Sequence, residues 1–234
     1  MTPRIKTDDK MKNEKDLNSS KHNNNYNTRG PGSNPCNPEI FVGSGCNPCN
    51  HLKISEKLMI FIDGGNLFNA LRDYKIKVDF EKLINILSND FNLIRVYYYT
   101  GIPTRKSWDK KKMTKKEFDN RLNNQLKFLE NLEFNYNFHV IKKPLILEDG
   151  KMKEKGVDVN IASDIIWHGL SNNYDAFILI SGDKDLMDCL IRMKDNGKRV
   201  IIANFENRVS REIKKIADRY INLLDYIEKI KFVD

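Results

Sequence analysis

A chain of 234 residues with 40% hydrophobic content can bury a domain-sized core, and its formal charge of +8 matters mainly through where the excess is placed. No apolar run exceeds five residues, against the roughly 20 that a membrane-spanning helix needs, and the opening "MTPRIKTDDKMKNE" lacks the apolar stretch of a signal peptide. Composition therefore argues against a membrane helix or secretion and for a soluble, cytoplasmic chain.

Residues 1–52 read as a disordered or weakly ordered tail, because "NSSKHNNNYNTRGPGSNPCNP" is polar and rich in asparagine, proline and glycine. Cys46 and Cys49 have C-x-x-C spacing, so with Cys36 and His51 they admit a zinc site. Unpaired thiols in a tail account for the same residues. Residues 53–234 read as one folded domain.

That domain opens with "LMIFIDGGNLFN" (58–69), a strand over Leu58–Asp63 that ends on a carboxylate, a glycine pair and Asn66. Asp63 alone is explained as a helix cap. Phe80, Leu83, Ile84 and Leu87 recur at helical spacing, and a strand follows over Leu93–Thr100, in which Tyr97, Tyr98 and Tyr99 alternate faces and pack. The next segment, "GIPTRKSWDKKKMTKK" (101–116), has seven basic residues and one acid, a net +6, while residues 1–50 carry net +2. The positive surplus of the domain thus sits in one connection.

Phe118, Leu122, Leu126 and Leu129 make a second helical stripe, followed by a strand over Tyr136–Ile141. In "KEKGVDVNIASDIIWHGL" (153–170) a glycine admits a helix carrying Val157, Ile161 and Ile165 on one side, with Asp158 in its first turn. Asp164 lies roughly 240° further round and reads as a supporting or structural group. Trp167 reads as core. A strand over Ala176–Ser181 ends in "SGDKD", placing Asp183 and Asp185 at a helix start, two acids where a cap needs one; Asp188 faces solvent or the helix surface. Cys189 is a small core residue. A last strand over Arg199–Asn204 precedes a helical stripe of Val209, Ile213, Ile216, Tyr220 and Leu223. His139 and His168 lack metal-ligand spacing and read as structural.

Strand and helix alternate throughout, which argues for an α/β domain with a mostly parallel five-stranded sheet between helical layers. Ligands of such sheets bind beyond the carboxyl ends of the strands, where strand order reverses. Asp63, Asp158, Asp183 and Asp185 are then expected on one rim. Close carboxylates repel unless a hard cation such as Mg²⁺ or Mn²⁺ joins them.

"FIDGGNLF", "KGVDVNIASDII" and "ILISGDKDLMDCLIRMKDNGKRVIIANF", in that order, resemble the signature segments of the NYN-domain family, within the PIN-like metal-dependent ribonucleases. The resemblance spans roughly 58–224 and implies a three-layer Rossmann-like fold with an acidic pocket that binds Mg²⁺ or Mn²⁺ and cleaves RNA. By position, the first-motif acid and amide fall on Asp63 and Asn66, the middle acid on Asp158 and the last pair on Asp183 and Asp185. Ser181 matches the small hydroxyl residue before that pair. The basic connection then acquires a role, with Arg105, Lys106, Lys110, Lys111 and Lys112 near single-stranded RNA phosphates and Trp108 offering a face to an unpaired base. A solvated lysine-rich loop is the plain alternative. Lys155, before Gly156 in a charged turn, is a weaker phosphate ligand.

A metal-dependent ribonuclease is the first functional expectation, and an RNA-binding scaffold with little turnover is the second. A second copy of the chain, as a homodimer, is a further expected partner. An aspartyl phosphatase fits poorly because Gly65 stands where a second aspartate is wanted, and "DGGNLFNA" lacks the lysine and hydroxyl of a P-loop.

Overall fold

The structure, a computed structural model, describes residues 55–108, 112–148, 151–154 and 156–232. The chain divides into two units, Met1–Asn50 and His51–Asp234, and the second holds every described residue. The tail expected over residues 1–52, with Cys36, Cys46, Cys49 and His51, lies outside the described residues, as do Lys110, Lys111 and Lys155.

Seven strands form one sheet: β1 (Lys57–Asp63), β2 (Asn92–Pro103), β3 (His139–Glu148), β4 (Lys151–Glu154), β5 (Ala176–Ile180), β6 (Arg199–Asn204) and β7 (Arg219–Asn222). Their order is β4-β3-β2-β1-β5-β6-β7. All pairings are parallel except β3 with β4, so six parallel strands replace the five expected and an antiparallel strand closes one edge.

Alternation along the central strands builds the two cores. Leu58, Ile60 and Ile62 of β1 join residues of α1 (Gly64–Tyr74), α2 (Phe80–Ser88), α3 (Lys115–Asn135) and α7 (Ile227–Ile230) in one cluster. Met59 and Phe61 join α4 (Val157–Leu170), α5 (Met187–Asp195) and α6 (Arg211–Ile216) in the other. Tyr98 belongs to the first cluster and its neighbours Tyr97 and Tyr99 to the second, as period-two side chains must. A strand covered on both faces reads as an unbroken apolar run, and all five residues of β5, "AFILI", are buried.

Three expectations about elements need correction. The stripe from Val209 to Leu223 is not one helix: α6 stops at Ile216, Ala217 turns to ψ 137°, and the chain is stitched to β6 as β7. The stitch begins where Asp218 N–H donates to the Val200 carbonyl at 2.8 Å and Asp218 Oδ2 accepts from Val200 N–H at 2.8 Å. β3 begins at His139, because α3 runs on to Asn135 and Asn137 takes a left-handed φ of 55°. Trp167 is 68% exposed on α4 rather than in the core.

The strand-to-helix turns at the carboxyl ends are tight. A Cβ built on Gly182, after β5, would stand 1.6 Å from the Arg208 carbonyl oxygen, so the turn after β5 and the segment after β6 touch backbone to backbone. Gly182→Ala is therefore expected to destabilise the fold by about 1–3 kcal/mol, read as a lower urea or thermal midpoint. An unchanged midpoint would show that the two segments do not meet.

Candidate active site

Chain connections leave β1 toward β2 on one side, while β5 flanks it on the other, so strand order reverses between β1 and β5. The crevice of a parallel α/β sheet opens at such a point. Asp63, the last residue of β1, stands there and is only 6% exposed. Gly64 follows because a Cβ at that position would lie 2.7 Å from the Tyr98 ring and the Tyr99 carbonyl, leaving α1 no room for a side chain against β2.

Hydrogen bonds fix Asp63 from two elements. Its Oδ1 accepts the Asn66 backbone N–H at 2.9 Å, which caps α1, and its Oδ2 accepts the Ser181 hydroxyl at 3.0 Å from the end of β5. Ser181, fully buried, accepts in turn from Asp183 N–H at 3.2 Å, and Asp183 Oδ1 accepts from Asp185 N–H at 3.0 Å. The Ser181 hydroxyl thus orients a carboxylate and a turn at once. The cap reading of Asp63 and Asp183 holds as geometry, yet a cap does not require a carboxylate this deeply buried.

Electrostatics ties the aspartates together. Burial pushes the Asp63 carboxyl above the usual carboxylate range; the Asn66 and Ser181 hydrogen bonds pull it back, and the negative charges of Asp158 and Asp183 push it up again. Asp158, in the first turn of α4, is raised by burial and by Asp183 and Asp185. Acids 25 to 120 positions apart along the chain therefore feel one another at one rim. Asp185 and Asp188 are exposed, and Asp188 lies in the first turn of α5.

Asp164 stands apart from this group, accepting the Tyr99 hydroxyl at 2.8 Å. Burial first, and then the Asp164 charge, holds that phenol protonated far above neutral pH. His168 Nε2 lies 2.9 Å from the Tyr97 hydroxyl and its Nδ1 2.9 Å from Asn173 Nδ2. Burial lowers its pKa, so this histidine is a neutral structural group, as its sequence context suggests.

Among the described residues no three His, Cys, Asp or Glu side chains stand together as a ready metal-ligand group. The donors available are all carboxylate, hydroxyl and amide oxygens, which suits a hard cation that retains much of its water, not a closed cage.

The basic candidates lie past the end of β2, which runs parallel to β1 and so reaches the same rim. Arg105 and Lys106 are exposed on a 3₁₀ turn over Arg105–Ser107, and Lys112 is exposed beyond it. Trp108 is half-buried, with its indole N–H donating to the Met113 carbonyl at 3.1 Å and its ring 6.0 Å from that of Phe118. One residue that sequence reasoning passed over joins the site. Asn204, fully buried at the end of β6, donates from Nδ2 to Asn66 Oδ1 at 2.8 Å. Its signal was a polar side chain closing the apolar run "VIIA" at a carboxyl end.

The NYN domain family model matches residues 57–225. Low amplitude and bright protein LabA of Synechococcus elongatus (strain ATCC 33912 / PCC 7942 / FACHB-805) is 24% identical over 180 residues, which cover 74% of this chain and 88% of LabA. The crystal structure of a protein of unknown function from Vibrio parahaemolyticus, 21% identical, covers 77% of this chain and 98% of its own with a TM-score of 0.58, a likeness of fold. With the match extending from the first residue of β1 to beyond β7 and containing all the rim aspartates, the chain belongs to the NYN-domain family.

Proposed function

We propose that this chain is a divalent-metal-dependent ribonuclease that hydrolyses phosphodiester bonds of single-stranded RNA at the rim between β1 and β5. The observation that carries the reading is the buried Asp63 carboxylate, raised in pKa by burial and by two neighbouring acids, with no lysine or arginine paired to it among the described residues. Such a group is unfavourable in the bare protein and becomes favourable beside a cation.

Asp63, Asp158, Asp183 and Asp185 would hold Mg²⁺ or Mn²⁺. When bound, that ion supplies a hydroxide from water near neutral pH and neutralises charge on phosphoryl oxygens. Ser181 keeps Asp63 in one rotamer by donating to Oδ2, and the Asn66 backbone holds Oδ1, so the carboxylate needs little reorganisation to receive a ligand. Asn66 contributes its side-chain amide to an anionic oxygen of the substrate. Arg105, Lys106 and Lys112, with Lys110 and Lys111, offset the negative potential of the pocket for an incoming polyanion. Trp108, with Phe118 close to its ring, has less room to stack a base than an open tryptophan and serves first to anchor the basic turn.

Asp63→Asn and Asp183→Asn are each expected to lower Mn²⁺-dependent cleavage of single-stranded RNA more than about 100-fold, since even groups that only orient ligands cost roughly 10–100-fold. Full cleavage by both variants would remove the site assignment; tight RNA binding with no metal-dependent product would make the protein a binding scaffold instead.

A second test needs no substrate. Because the folded pKa of Asp63 and Asp158 is raised, their contribution to stability is fully present below the unfolded carboxylate pKa and is lost as pH rises through the folded value. Mn²⁺ restores what ionisation removes. The thermal midpoint is therefore expected to rise with Mn²⁺ at pH 7.5, to rise less at pH 5 where protons compete, and to be nearly insensitive to Mn²⁺ in Asp63→Asn. Equal shifts in the wild type and the variant would locate the ion elsewhere.

Ser181→Ala removes a donor that lowers the Asp63 pKa. The acidic limb of the pH–rate profile is expected to move to higher pH, and an unmoved limb would mean that Asp63 does not titrate in the rate-limiting step.

A further inference from the structure

Asparagine side chains are symmetric in shape and opposite in chemistry at their two ends, so what an amide offers a ligand depends on what holds its other end. Asn66 lies in the first turn of α1, three residues after Asp63, and is only part-exposed. Its Oδ1 accepts from Asn204 Nδ2 at 2.8 Å. Among the described residues its own Nδ2 has no hydrogen-bond partner.

The direction of that bond is fixed from behind. Asn204 Oδ1 accepts the Phe205 backbone N–H at 2.8 Å, and a backbone N–H can only donate. Asn204 must therefore keep its oxygen on that side and turn its NH₂ toward Asn66. If Asn66 were flipped, two NH₂ groups would face each other. The backbone carbonyl of Asn204 is itself pinned by the Tyr220 hydroxyl at 3.0 Å, from β7, and Asn204 has no exposed surface.

We propose that Asn204 is a positioning residue that locks the Asn66 amide with its NH₂ toward the acidic rim, making the site a hydrogen-bond donor to an anionic oxygen of the bound ligand, a non-bridging phosphate oxygen in the RNA reading above. This inference rests on that reading for its ligand, but the amide orientation stands on the hydrogen bonds alone. A rim crowded with carboxylates gains from a donor whose orientation is set before the ligand arrives, because no rotamer or flip has to be frozen on binding.

Asn204→Asp tests it. The carboxylate still accepts from Phe205 N–H, and its second oxygen accepts only, so Asn66 must rotate to donate and present its carbonyl to the rim. The KM for single-stranded RNA is expected to rise about tenfold or more, the loss of a hydrogen bond to a charged group, with a much smaller change in kcat. In an Asn66→Ala background the same change at position 204 is expected to have little further effect on KM. An equal effect with and without Asn66 would overturn the proposal, because Asn204 would then act through the fold or through its new charge.

Side-chain amide exchange measured by NMR gives a reading on the unaltered chain. One Asn204 NH₂ proton should exchange slowly and those of Asn66 quickly; the opposite pattern overturns the proposal. If the wild type binds RNA without cutting it, the dissociation constant replaces KM in the same cycle, so the ribonuclease reading fails while this inference is still decided. A wild-type chain that neither binds nor cuts RNA overturns both.

Discussion

The hydrogen bond from the Ser181 hydroxyl to Asp63 joins the ends of two neighbouring parallel strands across the point where strand order reverses. Both residues are buried, and each would be costly without the other. A hydroxyl at no exposure needs an acceptor, and a carboxylate at 6% exposure needs donors. Two donors do not compensate fully, since the Asp63 pKa stays raised and two further acids push it higher. The fold thus retains a group that weakens it at neutral pH. Under the proposed function a ligand would remove that penalty, and a hard cation is one that carboxylate oxygens suit.

Rigidity at this rim comes from strands rather than loops. Asp63 is held by β1, Ser181 follows β5, and Asn204 ends β6, so three adjacent parallel strands each contribute a polar group at the same end. Their registers are fixed by apolar side chains on both faces, where a one-residue slip would exchange core for core-facing neighbours along the whole strand. α1 and α4 then bring Asn66 and Asp158 in their first turns, where the helix dipoles favour negative charge and partly offset the crowding of acids. Gly64 and Gly182 permit the close backbone approaches that this convergence needs.

Much of this was legible in the residues. Apolar runs bounded by turn residues marked β1, β2, β5 and β6, because burial on both faces leaves an unmistakable pattern. The acids at their ends were conspicuous for the opposite reason, since nothing in packing asks for them. What escaped were elements whose cause is tertiary. β7 is four residues whose apolar positions continue a helical spacing, and only the pairing of Asp218 with Val200 decides against the helix. β4, "KMKE", has no apolar run at all and exists because β3 continues to Glu148 and turns back on itself. Asn204 was invisible as a functional residue because its partner lies 138 positions away and the bond that orients it is to its own neighbour's backbone. Trp167 has a core residue's chemistry on a face of α4 that the sheet does not cover, which helical spacing from Ile161 and Ile165 does not by itself exclude.

Two carboxylates on one helix show how position decides what an acid is for. Asp158 and Asp164 sit six residues apart on α4, and both are part-exposed. Asp164 meets a phenol that remains protonated, so the pair is a neutral donor with a satisfied acceptor and asks for nothing more. Asp158 is pushed up by burial and by the negative charges of Asp183 and Asp185, at a rim where Asp63 is raised as well. The first arrangement is complete within the protein and holds β2 to α4. In the proposed function the second is completed by a cation, and the basic turn after β2, at the same end of the sheet, would draw in the polyanion that this cation activates. An acidic site and a basic approach on one rim are therefore not opposed; each supplies the sign of charge that the other lacks.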